Sequence, residues 1–239
     1  MPLAWLYAQV HPAVAGLMAT VYAVAVVVHP LWTVGRIRRG APVFRYRPWF
    51  VASHLVAVLV LVLAVPGVKV DNLGMGWPAG RSLAAAVGIV AGFVAIAAVW
   101  AHGTYRNRKA EGRYVVAPLP DMEQIAEVVV GSARDALLFV AVPLFVGVGV
   151  FELPLAWTMI VAVLGYGFHH LPMGPVAVVS WTGYAGLALI VYLLSGHVAL
   201  PTVVIVTAAL IPQYAWPRTP AGPPPVPPLT MIEPPMPLR

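Results

Sequence analysis

Apolar residues fill this chain in seven long runs, at roughly 10–33, 49–66, 83–101, 125–150, 153–168, 175–194 and 198–212, separated by short polar or Gly/Pro-rich breaks. Most of the runs approach the roughly 20 residues that a helix needs to cross a bilayer. The pattern predicts an all-α fold, a polytopic transmembrane helical bundle of about seven spans, with a single membrane domain over residues 1–212 and a Pro-rich tail over 213–239. Composition points the same way: 61% of residues are hydrophobic and 9% are charged, which leaves no room for a separate soluble domain of useful size.

Charge then orients the bundle. The break after the first run carries Arg36, Arg38, Arg39, Arg45 and Arg47, and the break after the third carries Arg106, Arg108, Lys109 and Arg113. Basic loops stay in the cytoplasm. The stretch between them, with Lys69, Asp71 and Arg81, is nearly neutral and fits the outer face. The expected placement is a bacterial cell membrane, multi-pass, with the N-terminus outside and the C-terminus cytoplasmic. The arginine excess over lysine and the abundance of Ala, Val, Gly and Pro suggest a GC-rich bacterial genome. The first run lacks a basic flank and a small-residue cleavage site, so it is expected to be a retained span and not a signal peptide.

Arg36 to Arg47, interleaved with Phe44 and Tyr46 and followed by Trp49 and Phe50, reads as an interfacial anchor on anionic lipid. Nucleic acid is not an expected partner so near the bilayer. Pro223 to Pro228 and Pro234 to Pro237 make the tail an extended, cytoplasmic segment, either solvated or a docking strip. The absence of cysteine excludes disulfides, thiol nucleophiles and thiolate metal sites.

The best clue to function is the adjacent charged pair Arg134 and Asp135 inside the apolar run 125–150. A charge at membrane depth costs roughly 2.5 to 3.5 kcal/mol on insertion scales, so it persists where it lines a polar interior or a reaction site. Glu123, Glu127, Gly131 and Arg134 or Asp135 recur at steps of four, four and three or four, one face of a helix. Neighbours lie about 100° apart around a helix, so the pair is not expected to bond to itself. As packing contacts, Arg134 would reach Glu127 or a carbonyl, and Asp135 a hydroxyl such as Ser180 or Thr182. The next run returns to the same side and ends at Tyr166, Gly167, Phe168, His169 and His170, so the two ends are expected to meet. His11, His29, His54, His102 and His197, near run ends, read as structural. No metal or other cofactor is expected, because His169 and His170 point to different sides of a helix and no His-Glu-x-x-His spacing exists.

Several landmarks fall in a familiar order: Asp135-Ala-Leu-Leu-Phe-Val140, Tyr166-Gly-Phe-His-His170, and Tyr192-Leu-Leu-Ser-Gly-His-Val-Ala-Leu-Pro201. On these, residues 118–212 resemble the core of the CPBP group of bacterial membrane proteins, homologues of the CAAX prenyl endopeptidase often called Abi proteins and linked to bacteriocin self-immunity. In that family a motif Glu-Glu-x-x-x-Arg supplies the glutamate that activates water, and histidines assist. The resemblance puts Ala136 where that glutamate belongs and Val140 where the arginine belongs. It puts Ile205 or Val206 at the last histidine, and Ala209 or Leu210 at its Asn or Asp partner.

Only His170 and the less critical acidic position, Asp135, remain of the family's polar set. The resemblance therefore implies a catalytically inactive relative that binds a membrane protein or a hydrophobic peptide as a scaffold, chaperone or immunity factor. One alternative is an active intramembrane endopeptidase with a site rearranged around Glu127, Arg134, Asp135 and His170. Another is an unrelated small transporter or assembly subunit. Membrane lipids are partners in every case.

Overall fold

The computed structural model describes residues 6, 10–39, 67–76, 82–110 and 122–215, together with the isolated positions 52, 56 and 63. Nearly all of the second apolar run, most of the Arg36 to Arg47 segment and nearly all of the Pro-rich tail lie outside these residues. Among the described residues every regular element is helical and there is no strand. Helix α1 (Pro12–Ala23) leads through a wide turn, Val24–Val28, into α2 (His29–Arg38). Helix α3 is Leu83–Ala110. Helix α4 is Met122–Val150. Helices α5 (Leu155–His169), α6 (Pro175–Ser195) and α7 (Ala199–Ala215) follow, joined by short turns.

Helix α4 is the centre of the bundle. In its most apolar stretch 78% of residues are buried inside the protein, against 17% for α3 and 28% for α6. Helix α5 packs along α6, α7 packs on α3, α4 and α6, and the α1–α2 unit lies against α5. The outward faces are apolar as well: Ile96, Val99, Trp157, Leu164, Val176 and Val179 are all exposed. A bundle apolar on the outside as well as the inside is built for hydrocarbon. Three helices, Leu83–Asn107, Met122–Val150 and Pro175–Ser195, are long and apolar enough to cross a membrane. Helices α5 and α7 are apolar but shorter over their described lengths.

Two wide turns explain how proline is carried at depth. The N–H of His29 bonds to the carbonyl of Val24, and that of Val142 to the carbonyl of Leu137, five residues back in each case instead of four. Pro30 and Pro143 follow directly. A helical proline lacks the N–H and crowds the carbonyl four residues earlier, here that of Val26 or of Phe139, each in the middle of a wide turn. The extra residue in the turn moves that carbonyl aside without breaking the helix.

The meeting points of the helix ends give the bundle two poles. At one, the Ser82 N–H bonds to the Leu194 carbonyl at 3.3 Å and the Val198 N–H to the Gly74 carbonyl at 2.8 Å, so the starts of α3 and α7 adjoin the end of α6. At the other, α2 ends against the Leu171–Met173 turn that links α5 to α6. Helix α3 runs antiparallel to α6, and its basic end, with Arg106, lies toward the same pole as Arg36, Arg38 and Arg39 of α2.

Candidate functional site

The polar residues of α4 and the end of α5 meet inside the bundle. Asp135 is 8% exposed and His170 7%, so neither is bathed in solvent. Arg134 and Asp135 bond to each other: the guanidinium Nε donates to Oδ1 at 2.9 Å and Nη2 donates to the same oxygen at 2.6 Å. This corrects the expectation that neighbours on a helix cannot pair. The 100° separation fixes where the two Cβ atoms point, but the arginine stem is long enough to carry its head around the helix to the short, immobile carboxylate.

The other carboxylate oxygen is also engaged. The Tyr166 hydroxyl donates to Asp135 Oδ2 at 3.2 Å, tying α5 to α4. The Ser180 and Thr182 hydroxyls are not its partners. Ser180 is exposed, and Thr182 donates back to the Val178 carbonyl of its own helix at 2.7 Å. His170 Nδ1 lies 3.0 Å from the Tyr166 carbonyl oxygen, which places its proton on Nδ1 in the neutral ring and leaves Nε2 as an acceptor. The imidazole stacks on Trp181 at 4.2 Å between ring centres with an 11° tilt. Tyr166 meets the same imidazole edge-on at 4.8 Å.

A second ring cluster lies alongside. His169 stacks on His29 of α2, 5.6 Å between centres, and packs on Phe139 of α4 at 4.7 Å. The Nδ1 atom of His29 is buried with no hydrogen-bond partner among the described residues.

The structure thus brings Arg134, Asp135 and His170 together through Tyr166 and leaves Glu127 apart. Glu127 is half-buried, two turns or about 10 Å nearer the start of α4, and joins none of these contacts. Glu123 is exposed. Ala136 and Val140, the positions that the resemblance would give to a peptidase base and its arginine, are 0% and 1% exposed, and Ile205 is 1% exposed. All three belong to one apolar core with Phe139, Leu144 and Tyr192.

Gly167 shows why the α5 end is glycine-bearing. A Cβ there would overlap the Thr182 hydroxyl and come within 3.0 Å of the Val178 carbonyl oxygen, so α5 and α6 approach closely at this point only because it is absent. Trp181 was not singled out from the sequence and His29 was read as structural, whereas Tyr166 was named at the run end expected to meet α4, four residues before His170.

Among the described residues no group of three or more His, Asp or Glu side chains converges closely enough to hold a metal ion. Set against known proteins, the chain matches no family model, no curated protein and no solved structure. The chemistry of the cluster is therefore read from its own geometry. It is a charge-balanced, hydrogen-bonded tie between two helices whose carboxylate already accepts on both oxygens.

Proposed function

We propose that this chain is a multi-pass bacterial membrane protein of CPBP-like architecture that has lost peptidase chemistry and works by binding a membrane protein or hydrophobic peptide, as a scaffold or immunity factor. The observation that carries this reading is a carboxylate engaged on both oxygens beside apolar side chains. Asp135 is taken up by Arg134 and Tyr166, and the side chains at 136 and 140 are packed in the core. A general base must be within hydrogen-bond reach of a water and free to take its proton. Asp135 is committed elsewhere, and Ala136 has no basic atom to offer.

In this reading the chain crosses the cell membrane about seven times, with its N-terminus outside and its C-terminus in the cytoplasm. The shared pole of the α2 and α3 basic ends supports that orientation. The test is affinity purification of the full chain from host membranes in mild detergent, alongside the membrane proteome of a deletion strain. The expected result is one partner that co-purifies and falls in abundance on deletion. Accumulation of uncleaved precursors in the deletion strain would overturn the proposal in favour of an endopeptidase.

A further inference from the structure

The α1–α2 unit carries an exposed stripe that changes from apolar to cationic along its length. Val24 and Val28 are 49% and 56% exposed, and Trp32 is 54% exposed one turn further on. Arg36 follows at the next turn, with its guanidinium carbon 5.0 Å from the centre of the Trp32 ring. At the helix end, Arg39 folds back so that its Nε donates to the Gly35 carbonyl at 3.0 Å, and Arg38 is exposed beside it.

Two of the three arginines are therefore held in place by the helix itself. Their positions at i+4 and i+7 from Trp32 put them on the same side as the apolar residues. From Val24 to Arg39 the helix rises about 22 Å, the reach of one lipid leaflet.

We propose that this stripe is a binding site for one anionic phospholipid, with the acyl chains along Val24, Val28 and Trp32 and the headgroup phosphate held by Arg36 and Arg39. Charge complementarity selects the occupant: a phosphate accepts bidentate hydrogen bonds from guanidinium groups, and a Trp at the boundary accommodates the change from hydrocarbon to headgroup. The proposal rests on the membrane placement of these helices and is independent of whether the Asp135 cluster is catalytic. The α3 end, where Arg106 is also exposed, supplies an internal comparison, since diffuse charge would act there equally.

The test is native mass spectrometry of the full chain in detergent, titrated in parallel with dioleoyl phosphatidylglycerol and dioleoyl phosphatidylcholine. The expected result is one retained phosphatidylglycerol with a preference of about tenfold or more over phosphatidylcholine. Arg36→Gln/Arg39→Gln should lose that preference and the charge-matched Arg106→Gln/Arg108→Gln should keep it. Equal retention of the two lipids by the wild-type chain would overturn the proposal without reference to any variant. So would an equal loss of preference in both variants, which would mean charge without a site.

Discussion

At the residue scale, the Arg134–Asp135 bond was the part of the cluster least legible in the sequence. Spacing on a helix assigns directions to Cβ atoms, and from those directions the pair looked divergent. The actual contact depends on the reach of one long side chain. Removing one partner of an ion pair this deep leaves the other charge unmatched. Arg134→Ala should therefore destabilise the fold by about 2 kcal/mol, toward the low end for buried pairs because the arginine is partly exposed. The double replacement Arg134→Met/Asp135→Leu should return to within about 1 kcal/mol of wild type. Tyr166→Phe, which deletes a hydroxyl donated to a carboxylate, should cost about 1–2 kcal/mol. Denaturant unfolding in micelles, followed by helical circular dichroism, checks all three. A double variant as unstable as Arg134→Ala alone would show that the polar network does more than pair its own charges.

At the element scale, the described helices lie close to six of the seven runs, because a continuous apolar stretch between polar breaks is a strong signal. Their ends were less legible. Helix α2 continues to Arg38 and α3 to Ala110, beyond the apolar windows, since Arg, Lys and Ala favour helix and long basic side chains reach to the interface. The wide turns before Pro30 and Pro143 are marked in the sequence only by the prolines themselves, because hydropathy along so apolar a run has no phase to shift. The α5–α6 contact at Gly167 was equally silent, because the sequence does not show which backbone approaches it. Gly167→Ala should force the two helices apart and lower stability by about 1–3 kcal/mol, read as a drop in the thermal midpoint. A neutral substitution would mean that the contact yields cheaply.

At the scale of the whole molecule, the sequence pattern gave the class, an all-helical membrane protein, and the arrangement of poles comes from the structure. The basic ends of α2 and α3 share a pole, and Gly74, Leu194 and Val198 mark the other. Because the chain has no cysteine, single introduced thiols report sidedness directly. In the proposed orientation, Arg38→Cys and Asn107→Cys should react only when a membrane-impermeant maleimide reaches the cytoplasmic side. Val70→Cys and Phe151→Cys should react only from outside. Labelling of Arg38→Cys and Asn107→Cys from opposite sides would break the shared-pole arrangement.

The central claim is that the Asp135 cluster holds helices together and does not cleave peptides. Its most direct test is complementation of a deletion strain with a chain carrying Glu127→Gln and His170→Asn together, which keeps a hydrogen-bond donor near the Nδ1 position and removes the base, expressed at the wild-type level, with the membrane proteome as readout. The expected result is full restoration of partner abundance and no accumulated precursor. Precursors that the wild-type chain clears and this variant does not would contradict the claim and place an active endopeptidase in these helices.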